Sequence, residues 1–449
     1  MSARKKKTAG PALAPLPTID GPRRHRIQYM DLDELLKRKH PDNSKLHDQA
    51  LLEEMIADNG FVSPPLLDER TGLLAFGHGR LDQLAAMKAA SAPVPEGVED
   101  LDGAWMVPVI LGVSFASDEA LLKYLVGDNR AVERGGWDNK KLVEALSRIG
   151  KENLRATGFD QSELVTFLAR MRSTERKADP DAEAPTPPKK AVAKRGQVWQ
   201  LGDHRLLCGD STVEADVKKL MGDERALLMA TDPPYGVDYV NVAAERGQPR
   251  SQRKWNVSIE GDEKTGAEIQ PFLEAAFRAA AANALIEKAA WYMWHAQMTQ
   301  GFFAAAAAAA AAVQIHRQII WVKPSLLLGH GDYHWRHELC FYGWVKGHRP
   351  PFYGQRNQTT VWEMGNETAP AKRDHPTQKP VRLFEIPMEN HTKGGEVCYE
   401  PFSGSGSQII AGEKLGRRVF AMEIDPRYVD VAVQRFEEYS GKKARKLAG

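Results

Sequence analysis

The segment from residue 396 to residue 425, EVCYEPFSGSGSQIIAGEKLGRRVFAMEID, restricts the fold of this chain more than any other stretch. An apolar strand is predicted to end at Glu400, followed by a tight loop from Phe402 to Gly406 and by a helix. A second apolar strand then ends at Glu423. This order is typical of a parallel α/β sheet that binds a nucleotide-like ligand over the carboxyl ends of its strands.

The residue types in this segment narrow the ligand. Gly404 and Gly406 allow a ligand to approach the backbone, and Glu423 is placed to accept hydrogen bonds from ribose hydroxyls. Ile409 stands where the dinucleotide fingerprint has its third glycine, which argues against a pyrophosphate ligand and against a nicotinamide enzyme. A tight strand-to-helix turn also needs glycine for purely structural reasons, so the loop alone does not establish a binding site.

The chain has 449 residues, which favours two or three domains, and its 42% hydrophobic and 27% charged residues suit folded cores. Continuous apolar strands alternate with helical stretches from Gln197 onward, which predicts a mainly parallel sheet covered by helices on both faces. The predicted strands are HRLLCGD, ALLMATD, AAWYMWHA, IHRQIIWVK, EVCYEP and RRVFAMEID. A run of nine alanines, from Ala304 to Ala312, is predicted to be helical.

The apolar strand ALLMATD ends in Asp232-Pro233-Pro234-Tyr235. Proline cannot donate a backbone hydrogen bond and does not continue a central strand. The segment is therefore either a rigid turn with a capping acid and a packing tyrosine, or the rim of a site that holds Asp232 and Tyr235 still.

Several segments, in their order along the chain, resemble the DNA amino-methyltransferases that use S-adenosylmethionine, in the permuted arrangement called the beta group. The matching segments are LLCGDS, TDPPYG, IIWVKP, HWRHELCFYGWVKG, HPTQKPVRLF, PFSGSG and AMEID, and the resemblance covers about residues 197–442. It implies a Rossmann-like methyltransferase sheet and assigns cofactor contacts to Asp210, Asp232, Thr377, Lys379, Phe402, Gly404, Gly406 and Glu423.

The resemblance also gives the Asp-Pro-Pro-Tyr segment a chemical role. The exocyclic amine of adenine or cytosine is a poor nucleophile because its lone pair is delocalised into the ring. Asp232 and the carbonyl of Pro233 would accept hydrogen bonds from this amine, Tyr235 would stack on the base, and Pro234 with Pro233 would hold the loop rigid. The base must leave the double helix to reach them.

Three alternatives remain open at this stage. An aspartate at position 232 resembles the adenine-N6 enzymes of the family, but the Asp-Pro-Pro-Tyr segment is also compatible with methylation of cytosine N4. RNA or protein amine methylation is a second alternative, because related Asn-Pro-Pro-Tyr segments serve such substrates. A third is a DNA-binding partition or clamp protein whose methyltransferase-like domain is silent.

Basic residues after the Asp-Pro-Pro-Tyr segment are candidates for contacts with double-stranded DNA. They lie on a loop rich in glycine, proline and serine, and they could follow phosphates beside the extruded base, although a surface loop without a role is an equal alternative. They are Arg246, Arg250, Arg253 and Lys254. The stretch between Trp344 and His375 is short for a recognition region, which argues against stringent sequence specificity.

The N-terminal part predicts a separate mixed α/β domain. FVSPPLLDERTGLLAFGHGRLDQLAAMKAA, VPVILG and VGDNR resemble ParB-like domains of the ParB/sulfiredoxin fold. That resemblance makes Gly77-His78-Gly79-Arg80 a candidate phosphate loop, but the segment lacks the paired arginines of the family. The predicted organisation is a basic tail (1–24), a ParB-like domain (25–172), a linker (173–196) and the methyltransferase domain (197–442).

The remaining expectations concern the environment of the protein. The spacing of Cys208, Cys340 and Cys398 fits neither a zinc site nor a disulfide framework, and no metal is predicted. The chain contains no apolar run of membrane-spanning length, and its first residues do not resemble a secretory signal, so a bacterial or phage protein of the cytoplasm is expected. The resemblance implies a homodimer as the default, and leaves open a paired restriction endonuclease.

Overall fold

The computed structural model of the protein divides into two compact units, residues 1–161 and 162–449. The structure describes residues 24–150, 153–175, 178–182, 184–236, 266–327, 332–363 and 379–447. The predicted basic tail therefore lies outside the described residues, except for its last residue. None of the described helices is both long enough and apolar enough to cross a bilayer.

The first unit is a mixed α/β structure built on one five-stranded sheet in the order β1-β5-β2-β3, with β4 paired to β5. Strand β2 runs parallel to β5, and the other pairs are antiparallel. Its elements are β1 (Arg26–Asp31), α1 (Leu32–Lys37), α2 (Gln49–Asn59), β2 (Leu66–Asp68), β3 (Leu74–Phe76), α3 (His78–Ala89), β4 (Glu99–Leu101), β5 (Ala104–Val113), α4 (Asp118–Arg134), α5 (Asn139–Ile149) and a 3₁₀ turn (Arg155–Thr157).

Local chemistry explains where these elements begin and end. Ser117 caps α4, because its hydroxyl accepts a hydrogen bond from the amide of Ala120. A turn at residues 70–72 joins β2 to β3. The buried carboxylate of Asp68 accepts hydrogen bonds from the hydroxyl of Thr71 (2.8 Å) and the amide of Phe115 (2.9 Å). One acid thus holds both the β2–β3 turn and the segment after β5.

The second unit contains the large sheet. Its elements are α6 (Gln161–Glu175), which begins at the division between the units, β6 (Val198–Leu201), β7 (His204–Cys208), α7 (Glu214–Met221), β8 (Ala226–Thr231), α8 (Ile269–Asn283), β9 (Leu285–His295), α9 (Gln300–Ala311), β10 (Val313–Leu327), β11 (Trp335–Val345), β12 (Val361–Glu363), α10 (Arg382–His391), β13 (Val397–Glu400), α11 (Ser407–Leu415), β14 (Arg418–Glu423), α12 (Pro426–Ser440) and β15 (Arg445–Lys446). Short 3₁₀ turns cover Gly266–Glu268 and Gln297–Thr299.

Ten strands form this sheet in the order β12-β10-β11-β9-β8-β13-β14-β7-β6-β15. The five central strands β9, β8, β13, β14 and β7 are parallel, whereas β11 and β6 join at either side in antiparallel orientation. The six strands predicted from the sequence are all present. The parallel part is smaller than predicted, because the antiparallel β11 is inserted between β9 and β10.

Side-chain alternation along the central strands covers both faces of the sheet, as predicted. In β8, Leu228 and Ala230 belong to one buried cluster and Met229 to the other. The first cluster includes side chains of α10, α11 and α12, and the second includes side chains of α7, α8 and α9. The alanine run forms most of α9, in which Ala306 and Ala307 are fully buried.

The segment predicted as a linker makes specific contacts in the second unit. Asp181 accepts a hydrogen bond from the amide of Val381 (2.8 Å), and Asp430 accepts one from the amide of Ala193 (2.9 Å). Helix α6 also contacts this unit, because Arg417 donates to the hydroxyl of Thr166 (2.9 Å). Hydrogen bonds from both sides therefore attach the predicted linker to this unit, although the linker has no apolar pattern of its own.

We predict that Gly112→Ala destabilises the first unit far more than Gly103→Ala. Both glycines have positive φ, +93° and +86°, so both variants carry a similar backbone cost. A Cβ at Gly112 would overlap the carbonyl oxygen of Arg24, whereas a Cβ at Gly103 has no atom within 4 Å. The overlap adds about 1–3 kcal/mol to the loss for Gly112→Ala. Hydrogen exchange of β1 and β5 amides in the full chain measures this difference, and equal exchange in both variants would contradict it.

Candidate functional site

Four acids stand at the carboxyl ends of four neighbouring parallel strands. They follow the sheet order β8, β13, β14, β7 and are Asp232, Glu400, Glu423 and Asp210. Because neighbouring strands lie about 4.8 Å apart, the row spans roughly 14 Å. The Asp-Pro-Pro-Tyr loop and the glycine loop, which are far apart in sequence, therefore both lie at the carboxyl-terminal end of the parallel strands.

A buried hydrogen bond joins these two loops directly. The hydroxyl of Thr231, the last residue of β8, donates to Oε1 of Glu400 at 2.7 Å. The same oxygen accepts the amide of Phe402 at 2.8 Å. Burial raises the pKa of Glu400 well above its ordinary value. Through these two hydrogen bonds, Glu400 links the end of β8 to the start of the glycine loop.

The Asp-Pro-Pro-Tyr loop leaves β8 at a fixed position. Pro233 is buried, and the side-chain amide of Gln408 in α11 donates to the carbonyl of Ala230 just before the loop. Asp232 remains partly accessible, with 24% of its side chain exposed. Burial raises the pKa of Asp232, and the neighbouring Lys379 ammonium opposes that rise. The loop therefore presents one partly accessible acid on a rigid support.

Lys379 lies at the centre of the site. Its ammonium contacts Oδ2 of Asp232 (2.8 Å), Oε2 of Glu338 (2.9 Å) and the hydroxyl of Tyr235 (2.9 Å). Glu338 also pairs with Lys323 at 2.5 Å. The sequence predicted Lys379 as a cofactor residue, a role that stays a prediction. The structure places its ammonium on the acid of the Asp-Pro-Pro-Tyr loop, and Thr377, the other predicted residue of that motif, lies outside the described residues.

The glycine loop is held by its own neighbours and leaves one polar group unused. The amide of Gly404 donates to Oε2 of Glu423 (2.8 Å), and Arg435 donates to the hydroxyl of Ser405 (3.1 Å). Among the described residues, the buried hydroxyl of Ser403 has no hydrogen-bond partner. A Cβ at Gly404 would meet no atom within 4 Å. Open space beside the Gly404 backbone and an unused hydroxyl are what a ligand lying on this loop would require.

Glu423 and Asp210 flank the other end of the row. The second oxygen of Glu423 accepts the amide of Asp425 at 2.9 Å, and burial raises the pKa of Glu423 to about 7. Asp210 follows β7, and its Oδ1 accepts the amide (2.9 Å) and the hydroxyl (2.7 Å) of Thr212. The two acids are neighbours because β7 pairs in parallel with β14, with Cys208 opposite Glu423.

Phe402 and Gly406 complete the predicted set on the glycine loop. The ring of Phe402 lies 5.7 Å from that of Phe272 in α8. Gly406 is the residue before α11 and packs close to Ala432 of α12. The structure therefore brings together all the predicted site residues of this domain that it describes.

Sequence reasoning missed Glu338, Lys323 and Glu400. Each is a charged residue within or at the end of an apolar strand, a pattern that predicts a paired or functional charge. That signal was available in WVKP, HELC and CYEP. The sequence did not indicate that Glu338 contacts Lys379 or that Glu400 contacts Thr231, because the members of each pair are distant in the chain.

The predicted phosphate loop of the first unit differs from expectation. Only Gly77 precedes helix α3, and His78, Gly79 and Arg80 form its first turn. The imidazole of His78 accepts a hydrogen bond from the amide of His40 (3.1 Å), and burial lowers its pKa to about 4. The ring of His47 packs against Gly79, and Arg80 lies over the ring of Phe76. A phosphate-binding role for this turn stays a prediction.

Two further predictions concern residues or groups beyond this geometry. The candidate DNA-contact residues Arg246, Arg250, Arg253 and Lys254 lie outside the described residues. In the described part of the chain, no cluster of three or more histidine, cysteine or acidic residues is arranged to bind a metal. The three cysteines are buried and unpaired.

Comparison with known proteins identifies a family for this part of the chain. A family model described as DNA methylase, for the N6/N4 type, matches residues 227–434. The chain is 30% identical over 210 residues to YubD of Escherichia coli strain K12, which carries the name of a methylase; the match covers 46% of this chain and 80% of that protein.

The chain also has shorter or more distant matches to named methyltransferases. It is 38% identical over 63 residues to the type II methyltransferase M2.DpnII of Streptococcus pneumoniae, which covers 14% of this chain and 24% of that enzyme. The solved structure of the cytosine-N4-specific PvuII DNA methyltransferase aligns with 57% of this chain and 98% of its own, at 12% identity and a TM-score of 0.40.

We predict that Thr231→Val destabilises the second unit, whereas Thr231→Ser does not do so to the same degree. Valine has nearly the shape of threonine but leaves the buried Glu400 without its hydroxyl donor, which costs about 1–3 kcal/mol. Serine keeps the donor and loses one methyl group. Urea unfolding of the full chain, followed by tryptophan fluorescence, compares the variants. Equal losses would show that the hydroxyl contributes nothing to the junction of the two loops.

Proposed function

The chain belongs to the DNA methylase family whose model it matches, and from this premise we propose that it transfers a methyl group from S-adenosylmethionine to the exocyclic amine of a base in double-stranded DNA. The observation that carries the proposal is the row of acids at the carboxyl ends of β8, β13, β14 and β7, in which the Asp-Pro-Pro-Tyr loop and the glycine loop follow neighbouring strands. Thr231 and Glu400 hold the two loops together. The methyl donor and the base that accepts the methyl group would therefore bind side by side at the carboxyl ends of the strands.

The described residues fit S-adenosylmethionine. The unused hydroxyl of Ser403 and the open backbone at Gly404 offer contacts on the glycine loop. Glu423 and Asp210 would accept hydrogen bonds from its ribose and adenine groups, and Phe402 would provide an apolar contact. The acidic edge suits a cationic ligand. When bound, S-adenosylmethionine supplies an electrophilic methyl group on a sulfonium.

The chain's own residues would prepare the amine for attack. Asp232 and the carbonyl of Pro233 would accept its two hydrogen bonds, which favours a pyramidal nitrogen whose lone pair is free. Oδ2 of Asp232 is held by Lys379, so Oδ1 is the oxygen that we assign to the amine. The two prolines and the buried hydrogen bonds of Glu400 keep these acceptors in place without reorganisation during the reaction.

The target base reaches this loop only after it leaves the DNA stack. We assign Tyr235 to stack on this base, and the contacts of its hydroxyl with Lys379 and Glu338 (3.3 Å to the latter) support a fixed ring. We propose adenine N6 as the acceptor, since an aspartate stands in the first position of the loop, and cytosine N4 is the alternative. The basic residues after the loop remain our candidates for phosphate contacts.

We predict that Asp232→Ala lowers the rate of methyl transfer by at least about 10²-fold and leaves S-adenosylmethionine binding nearly unchanged. Loss of one preorganised polar group at the reacting atom costs about 10²–10³-fold in rate. Radiolabelled methyl transfer to duplex DNA, RNA and protein, assayed side by side, measures the rate, and calorimetry measures the affinity. Asp223→Ala, an exposed acid on the same unit, is the matched control.

Nucleoside analysis of the labelled DNA separates N6-methyladenine from N4-methylcytosine. Wild-type activity on RNA or protein alone would refute a DNA substrate. Full activity in Asp232→Ala would show that another group handles the amine.

We also predict that S-adenosylmethionine binds more tightly as the pH rises through about 7. Glu423 has a pKa raised by burial to about 7, and only its ionised form accepts hydrogen bonds at both oxygens while attracting a cation. Below this pH, the affinity falls by up to about tenfold per pH unit. Calorimetry between pH 5.5 and 8.5 tests this slope.

Glu423→Gln provides the control, because the amino group of the cofactor titrates equally in both proteins. The affinity of this variant is expected to be lower at pH 8, and its remaining pH dependence is that of the cofactor alone. An identical slope in the two proteins would contradict a titrating role for Glu423.

A further inference from the structure

Four charged side chains of alternating sign form a continuous row behind the Asp-Pro-Pro-Tyr loop. Lys323 contacts Glu338 at 2.5 Å, Glu338 contacts Lys379 at 2.9 Å, and Lys379 contacts Asp232 at 2.8 Å. They come from β10, from β11, from the segment before α10 and from the loop after β8. Two of them, Lys323 and Glu338, lie on the antiparallel strands that adjoin the parallel core.

The row is largely shielded from water. The exposed fractions of the side chains are 15% for Lys323, 19% for Glu338, 7% for Lys379 and 24% for Asp232. Removing a charge from water is costly unless an opposite charge and hydrogen bonds replace the lost solvation. Each inner member of this row, Glu338 and Lys379, has an opposite charge on both sides. The four charges of the row therefore sum to zero, and removing any one of these side chains would leave a net charge in a poorly solvated place.

The contacts of Lys379 use its full hydrogen-bonding capacity. An ammonium has three donors, and Lys379 directs them to Asp232, Glu338 and Tyr235. Oε2 of Glu338, which contacts Lys379, also accepts a hydrogen bond from the hydroxyl of Tyr235. Glu338 and Lys379 thus hold both ends of the Asp-Pro-Pro-Tyr loop, the acid Asp232 and the ring of Tyr235.

We propose that Glu338 is a positioning residue of this active site: it shares the Lys379 ammonium with Asp232, so that the lysine orients the Asp232 carboxylate without neutralising it, and it fixes Tyr235 for the incoming base. Lys323 is the counter-charge that allows Glu338 to remain ionised in this place. The inference rests on the proposed methyl transfer, and it adds two residues that the motifs did not indicate.

Replacing Glu338 and replacing Lys323 by neutral residues are expected to shift the pKa of Asp232 in opposite directions. The charged or titratable groups that face Asp232 are Lys379, Glu338, Tyr235, Cys340 and Glu400. Glu338 raises the pKa of Asp232, so replacing it by glutamine lowers that pKa. Burial opposes ionisation of Glu338, but Lys379 and Lys323 lower its pKa to about 2. Replacing Lys323 by glutamine removes a positive charge and therefore raises the pKa of Asp232.

The test is the pH dependence of single-turnover methyl transfer to DNA by the full chain, with saturating S-adenosylmethionine. For Glu338→Gln we expect a loss of about 10–100-fold in rate, as for a small misplacement of reacting groups. The acid limb of its pH profile moves to lower pH. For Lys323→Gln the rate falls less, and the acid limb moves to higher pH. Cofactor affinity in both variants stays within about threefold of wild type, as expected for groups that do not contact the cofactor.

Two further variants keep the test independent of stability. Glu338→Asp retains the charge on a shorter side chain, and we expect it to restore the position of the acid limb with part of the rate. Glu224→Gln is the control. It removes an acid that pairs with Arg418 at 2.5 Å at the amino-terminal end of the parallel strands, and we expect this variant to have the rate and pH profile of wild type. Thermal melting of each variant identifies any that does not fold.

The proposal is overturned if both variants lower the rate equally at every pH, since a merely structural role would do this. It is also overturned if Glu338→Gln behaves like Glu224→Gln while the wild type is active. A wild-type chain that methylates no nucleic acid would overturn the proposed function itself, and this inference with it.

Discussion

The parallel pairing of β8 with β13 is the constraint on which the rest of the site depends. It places Thr231 beside Glu400, two residues that are 169 positions apart in sequence, and their hydrogen bond is buried. Parallel neighbours need a long crossover between them, so each loop at this edge is separated from the next by at least one helix. The acid of one motif and the glycine turn of another therefore meet only because the sheet is parallel here.

The site combines an acidic edge with a buried lysine. Acids at the strand ends favour a cation, and Lys379 prevents Asp232, the acid that follows β8, from standing unpaired in a poorly solvated place. Such an arrangement costs solvation energy, which the alternating charges of Lys323 and Glu338 offset. The antiparallel strands β10 and β11 thus do more than extend the sheet, because they bring the balancing charges to the end of the parallel core.

The first unit has a sheet, a core and an acid-organised turn of its own. The family match covers residues 227–434 and does not include it. Its resemblance to ParB-like domains remains a prediction. The first turn of α3 carries the residues that suggested an anion site, but His47 packs against Gly79 there, and the imidazole of His78 is already engaged with the backbone at His40.

The sequence by itself determined the family, the central strands and the acids at their ends. Continuous apolar runs predict buried parallel strands, and the order of the motifs predicted the DNA amino-methyltransferase family, which the comparisons confirm. These signals are local, since a strand, a glycine turn or a proline pair is encoded in neighbouring residues. Only the tertiary structure decided which side chains meet: that β11 lies antiparallel beside β9, that Lys379 joins Asp232 to Glu338, and that Glu400 links two loops. Contacts across a sheet depend on strand order and register, which arise from the packing of distant segments and are not encoded in any one of them.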